Sequence, residues 1–265
     1  MKHQFYTNEP YKLKLILQNQ NRLNPFLSNY GFIGTTISSL NFMPTHIAET
    51  YVKSYTKMLS LNNSQSPYVS ISGGEPGMFP GLFHFIKTIQ DINRPIIEIS
   101  TNGAIFHHND FKKVEDYINL IKVNVSDGQI FPYNKATKTN VVAKMVYHDD
   151  TNDKLLENQI KYFSDKSIPM KIVFDLYAKK ETEKKYNAFK QSCLIKKVHP
   201  SIVFTRTSCP KQYEMCQNCT VKCVAPKMLW VSPDGTSSHC PDNKSRKYQI
   251  SDSYLACKDG LKVFK

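Results

Sequence analysis

Tyr68-Val69-Ser70-Ile71-Ser72-Gly73-Gly74-Glu75-Pro76 decides how the rest of the chain is read. The first five residues, rich in β-branched and aromatic types, suit a buried strand. The two glycines after it let the backbone turn sharply and leave its amides and carbonyls open. Glu75 sets a carboxylate over the end of that strand, and Pro76 fixes the direction in which the chain leaves. Such a loop can grip an ammonium group. A tight turn capped by a glutamate is the other reading of the same residues.

Working outward, short β-branched runs alternate with segments of helical period, the pattern of βα units around a parallel sheet. Strands are expected at 32–37, 68–72, 96–101, 122–126, 141–147 and 171–176. Between them, Ile47, Tyr51, Tyr55 and Met58 form one apolar stripe behind Pro44. Leu82, Phe85, Ile86 and Ile89 make a second stripe; Phe111, Val114 and Ile118 a third; Leu156, Ile160 and Phe163 a fourth. These stripes read as helices covering a sheet and carry fold rather than function. The chain has only ten glycines in 265 residues, about half the ~7% usual in proteins. Gly73, Gly74, Gly77, Gly103 and Gly128 all follow expected strands, the end at which parallel α/β folds build their sites.

Composition excludes several classes. With 40% hydrophobic and 12% aromatic residues the chain can bury a full core, which excludes disorder over most of its length. The longest apolar runs, such as 15–17 and 228–231, fall far short of the ~18 residues of a membrane span. Residues 1–11 show no apolar core of a secretory signal, so a cytoplasmic, reducing location is expected. In that compartment seven cysteines point to metal ligands or a redox site rather than disulfides. None precedes Cys193, and Cys209, Cys216, Cys219, Cys223 and Cys240 fall within 32 residues. Charge is uneven as well: residues 1–178 carry 18 basic and 15 acidic side chains, residues 179–265 carry 17 and 7.

The third strand ends Ser100-Thr101-Asn102-Gly103, and the fourth runs Lys122-Val123-Asn124-Val125-Ser126-Asp127-Gly128. Together with Gly73-Gly74-Glu75-Pro76, and with about 25 residues from strand to strand, this series resembles the radical S-adenosylmethionine (SAM) superfamily over roughly residues 30 to 250. The resemblance implies a partial (β/α)6 barrel. It also implies that Gly73, Gly74, Glu75 and Pro76 hold the methionine amino group, with Thr101, Asn102 and Ser126 near the ribose and carboxylate. One departure is large. The family's three cysteines, spaced CxxxCxxC after the first strand, are expected 35 to 40 residues before Gly73. That region reads Ile33-Gly34-Thr35-Thr36-Ile37-Ser38-Ser39-Leu40-Asn41-Phe42. Hydroxyl groups cannot replace thiolates on an iron–sulfur cluster, so the family's radical source is absent from the expected place. SAM, or another small ligand, remains an occupant these loops can accept.

The tail offers a metal instead. Cys223, eleven residues, Gly235, four residues and Cys240 match the pattern that opens the SPASM and twitch auxiliary-cluster domains of radical SAM enzymes. Met228-Leu229-Trp230-Val231 followed by Ser232-Pro233-Asp234-Gly235 reads as a hairpin with its turn, which pairs those two cysteines. Cys216 and Cys219 form a CxxC knuckle. A four-thiolate site suits structural zinc as well as a [4Fe–4S] cluster, and the resemblance favours iron–sulfur. Lys211, Lys222 and Lys227 would offset the site's negative charge. Cys209 is the candidate spare ligand, Cys193 and Cys257 read as core or surface thiols, and His239 as a neighbour of the site.

The basic excess also permits nucleic acid. Lys179, Lys180, Lys184, Lys185, Lys196, Lys197, Lys244, Arg246 and Lys247 could track phosphates, with Tyr186, Phe189 or Tyr213 available for stacking. Solvated helix faces explain the same lysines, since Glu181 and Glu183 interleave with them.

The expected architecture is therefore an N-terminal cap (1–30), a partial (β/α)6 radical SAM-like barrel (31–198) and a small Cys-rich metal-binding domain (199–265). The expected function is that of a radical SAM-like iron–sulfur protein, unable to cleave SAM by itself, acting on or binding a peptide, small molecule or nucleic acid base. If it is active, the tail cluster would relay electrons or bind substrate. The alternative is a non-catalytic, metal-stabilised binding module or partner subunit with a basic face for nucleic acid or protein.

Overall fold

A computed structural model describes residues 12–17, 42–61, 66–79, 81–107, 110–126, 130, 139–175, 178–195, 202–206, 228–239 and 247–263. Its strands are β1 (Lys12–Ile16), β2 (Tyr68–Ser72), β3 (Ile96–Thr101), β4 (Leu120–Val125), β5 (Asn140–Tyr147), β6 (Met170–Phe174), β7 (Ile202–Arg206), β8 (Met228–Val231) and β9 (Ser237–Ser238). They form one sheet in the order β7-β6-β5-β4-β3-β2-β1-β8-β9. Every pairing is parallel except the β8–β9 hairpin.

From β1 to β7, each strand in sequence is the next neighbour in space. Parallel crossovers are right-handed, so a run that always steps in one direction puts its connecting helices on one face. Those helices are α1 (Thr45–Leu61), α2 (Leu82–Asp91), α3 (Phe111–Val114), α4 (Asp153–Asp165) and α5 (Lys180–Ile195), followed by a final α6 (Ser253–Val263). The four apolar stripes read from the sequence are all buried. They join Leu13, Leu15, Val69, Ile71, Ile97, Ile99, Ile121, Val123, Ala143, Met145, Ile172 and Phe174 from alternate strand positions in one core. The in-between positions, including Lys14, Ser70, Glu98, Lys122 and Lys144, belong to the opposite face.

Strands expected at 68–72 and 96–101 occupy those residues, and the next three lie within two residues of expectation. The first does not. The range 32–37 lies outside the described residues, and the strand beside β2 is Lys12–Ile16, within the segment expected as a cap. The stretch 199–265, expected to stand as its own domain, contributes β7 beside β6 and β8 beside β1 to the same sheet. A further correction concerns Tyr186 and Phe189. Both are buried and pack edge-on or tilted against Tyr147, Phe174 and Phe204, so neither is available to stack on a base. Lys179, Lys180, Lys184, Lys185 and Lys247 are exposed, while Lys196, Lys197, Tyr213, Lys244 and Arg246 lie outside the described residues.

The hairpin read from the sequence is present. Gly235 sits at φ 82 in its turn, the Gly235 amide donates to Ser232, and Trp230 faces Ser238 across the ladder. Tyr51 of α1 fastens this hairpin by donating its hydroxyl to the Gly235 carbonyl at 2.8 Å, with Ser237 Oγ at 3.0 Å.

Candidate functional site

The carboxyl ends of β2 and β3 are tied together by one side chain. Gly73 and Gly74 take φ of 90 and 57, a left-handed pair that only glycine adopts at little cost, and this reversal swings Glu75 back over the strand ends. Its carboxylate accepts the Gly77 amide at 2.8 Å and the Thr101 hydroxyl at 2.5 Å on Oε1, and the Asn102 amide at 2.6 Å on Oε2. Thr101 Oγ1 in turn accepts the Gly103 amide, and Asn102 Oδ1 accepts the Ala104 amide. Asn124 of β4 donates its amide nitrogen to the Thr101 carbonyl at 3.4 Å.

Pro76 starts a single 3-10 turn, Pro76–Met78, which abuts a second one, Ala104–His107. The abutment is backbone against backbone: a Cβ on Gly77 would come within 2.5 Å of the Ile105 nitrogen. Glu75 is only 5% exposed. Burial raises its pKa, and the Asn102, Thr101 and Gly77 donors pull the other way. A carboxylate offers about four acceptor positions, so three protein donors leave room for one more, such as an ammonium group. The structure thus brings Gly73, Gly74, Glu75, Pro76, Thr101 and Asn102 together. Ser126 stands further along β4's direction: Thr101 pairs with Val123, three residues before it, and Ser126 is exposed, its carbonyl accepting Gln159 Nε2 at 2.6 Å.

Of the metal candidates, Cys209, Cys216, Cys219, Cys223 and Cys240 lie outside the described residues, and among the described residues no group of three metal-binding side chains is found. Cys193 and Cys257 are buried cysteines, the thiol of the latter pushed up to about 12 by burial. His239 is 2.9 Å from the Ala256 carbonyl, a pairing in which Nε2–H donates, and burial lowers its pKa.

A second constellation escaped the sequence reading. On the sheet face opposite the helices, Glu98 is 3% exposed and meets Lys122 Nζ at 2.8 Å and Lys12 Nζ at 3.6 Å. Tyr68 and Ser70 donate their hydroxyls to it at 2.7 and 3.2 Å. Burial alone would raise this carboxyl, but the Lys122 and Lys12 ammonium groups outweigh it and hold the pKa down at about 2. Lys12 lies over the Tyr68 ring, and Lys14 over the Trp230 ring at 4.2 Å. Lys144 and Lys171 face each other in register on β5 and β6. The one signal available was the alternation Lys12-Leu13-Lys14-Leu15, a half-polar strand pattern.

No family model and no curated protein matches the chain. Solved structures do. Streptococcus suis SuiB bound to S-adenosylmethionine aligns with a TM-score of 0.65 at 12% identity, covering 95% of this chain and 67% of SuiB. SuiB bound to the precursor peptide SuiA gives 0.64 at 12% identity, with 95% and 66% covered. SuiB alone gives 0.59, with 92% and 65% covered. The chain therefore shares the α/β fold of SuiB, built on a parallel sheet, and it spans about two thirds of the length of SuiB.

Proposed function

We propose that this chain is a radical SAM-like binding protein that holds SAM, or a ligand sharing its amino-acid head, at the β2–β3 edge and does not cleave it unaided. The observation that carries the reading is the Glu75 strap: a buried carboxylate with one acceptor position to spare, between two glycine-shaped loops. Residues 17–44, which join β1 to α1 and correspond to the family's cluster-binding loop, contain no cysteine. Their donors do not fit an iron–sulfur cluster. Gly73, Gly74, Glu75 and Pro76 would receive the ammonium group, with Asn102, Thr101 and Ser126 toward the ribose and carboxylate.

In the tail, Cys216, Cys219, Cys223 and Cys240, with Cys209 as the spare, suit a [4Fe–4S] cluster, or zinc as the alternative, in a SPASM-like arrangement. Such a centre would supply electron transfer if iron, or rigidity if zinc. The hairpin supports this, because its antiparallel ladder returns the chain after β9 to the side from which it entered β8. A peptide is the favoured partner, by analogy with the SuiA-bound neighbour. A cytoplasmic setting is part of the reading. Among the described residues no helix is long and apolar enough to cross a membrane.

A second reading draws on the same three hydrogen bonds. Glu75 is already held by three donors of its own loops, which suits a barrel retained as a partner subunit or binding module in which the loop is purely structural.

Metal analysis and calorimetry on anaerobically purified protein separate the two. The first reading expects about four irons per chain, SAM binding that Glu75→Gln weakens, and no 5′-deoxyadenosine with dithionite. Zinc alone without SAM binding supports the second. Deoxyadenosine turnover refutes the inference from the missing cysteines.

A further inference from the structure

Among the described residues, the face of the sheet opposite the helices is crowded with lysines. Lys12 and Lys14 of β1, Lys122 of β4, Lys144 of β5 and Lys171 of β6 share it, among the described residues, with a single strand carboxylate, Glu98. The register makes them neighbours: Lys14 pairs with Ser70 and Ser70 with Glu98, Ser100 with Lys122, and Asn124 with Lys144, which pairs with Lys171. Asp175 follows directly after β6. Glu98 compensates Lys12 and Lys122 by direct contact. Lys14, Lys144 and Lys171 stand on the same face, and Lys144 makes no ion pair among the described residues.

The crowding depresses two of these ammonium groups. Burial first, then Lys144 and other lysines nearby, bring Lys14 down to about 7, against the opposing pull of Glu98. Burial, then Lys122 and Lys171, bring Lys144 down to about 8. Like charges held together and partly desolvated oppose folding. Valine already occupies position 142 of β5 and position 173 of β6 on this face, so aliphatic side chains fit it. Charge kept at the expense of stability marks a binding function.

We propose that this inner face binds a multiply charged anion, the phosphate groups of a phosphorylated small molecule, with Lys14, Lys122, Lys144 and Lys171 as the donors. Ammonium groups bind as point charges with three donors each and accommodate tetrahedral oxygens from several directions. A planar carboxylate is matched best by the arginine fork, and β1 to β6 contain no arginine. Asn124, in register with Lys144, adds a neutral donor or acceptor at the same level, and Trp230 beside Lys14 offers an apolar surface. None of the four lysines belongs to the Glu75 strap, which Asn124 alone touches through the Thr101 carbonyl, so the lysine variants test the anion separately from SAM.

The test is calorimetric titration of the anaerobically purified full chain with inorganic pyrophosphate, with citrate as the carboxylate probe, at pH 6.5 and pH 9. Pyrophosphate is expected to bind at least tenfold more tightly than citrate and to weaken at pH 9, where Lys14 and Lys144 lose their protons while Glu98 stays ionised. Below pH 9 its heat should vary with buffer, reporting proton uptake. Lys144→Met is expected to weaken pyrophosphate at least tenfold, while Lys184→Met on exposed α5 leaves it unchanged. A melting curve checks the fold of each variant, and Lys171→Met replaces Lys144→Met if the latter does not fold. Absence of pyrophosphate binding, equal losses in Lys144→Met and Lys184→Met, or citrate binding as tightly as pyrophosphate would overturn the proposal. None of these outcomes bears on SAM, which is titrated separately.

Discussion

Glu98→Gln removes what is, among the described residues, the only strand carboxylate from a face that holds five lysines. In the native chain the Glu98 carboxyl sits at about 2 instead of its ordinary 4.5, because Lys122 at 2.8 Å, Lys12 at 3.6 Å and the Tyr68 hydroxyl more than repay its burial. A gap of that size between folded and unfolded chain contributes about 3 kcal/mol at neutral pH. This agrees with the ~3 to 5 kcal/mol that follows removal of one partner from a buried ion pair. The folded value lies below the unfolded one, so the contribution is whole above about pH 4.5 and drains away as the pH falls toward 2. Urea unfolding of the two proteins at pH 7 is expected to differ by about 3 kcal/mol, and by about 1.5 kcal/mol at pH 3. Replacing Glu98 and Lys122 together by methionine should recover part of the loss, since it leaves one fewer unpaired ammonium. A deficit under about 1 kcal/mol at pH 7, or one that does not change with pH, would refute the assignment of Glu98 as the charge anchor of this face.

Three other substitutions probe the elements that shape the site. Gly77→Ala drives a methyl into the Ile105 backbone and is expected to cost at least about 2 kcal/mol in urea unfolding; tolerance without loss would show that the two 3-10 turns do not hold each other. Tyr51→Phe strips the hydroxyl from the Gly235 carbonyl and Ser237; a loss of about 1 to 2 kcal/mol is expected, with faster amide exchange in the β8–β9 hairpin. Asn152→Ala removes the side-chain cap over the Lys154 and Leu155 amides at the start of α4; about 1 kcal/mol is expected from thermal melts, and a change within error would place that helix's stability in its buried face alone.

Much of the fold is legible along the chain. The stripes Ile47-Tyr51-Tyr55-Met58 and Leu82-Phe85-Ile86-Ile89 are local periodicities, and a period of 3.6 or 2 needs nothing beyond a few neighbouring residues to be recognised. The hairpin turn at Ser232 to Gly235 and the reversal at Gly73-Gly74 are legible for the same reason, since they depend on backbone freedom at single residues. β1 escaped because lysines at positions 12 and 14 break the continuous apolar run by which a strand inside a parallel sheet is usually known. They are accommodated by Glu98, which lies far along the chain and reaches them only through two intervening strand pairings. Tyr186 and Phe189 were misread for a related reason: an aromatic residue among lysines looks available until Tyr147, Phe174 and Phe204 are folded against it.

The order of amino acids alone settles the alternation of strand and helix, the glycine-shaped loop that carries Glu75, and the lack of any thiol before Cys193. Folding in three dimensions adds what no short window contains: the seating of Glu75 on Thr101 and Asn102, and the gathering of lysines from positions 12 to 171 on one face. The difference is one of range. Periodicity and turn chemistry act between near neighbours in sequence, whereas charge acts through space and depends on the register of distant strands.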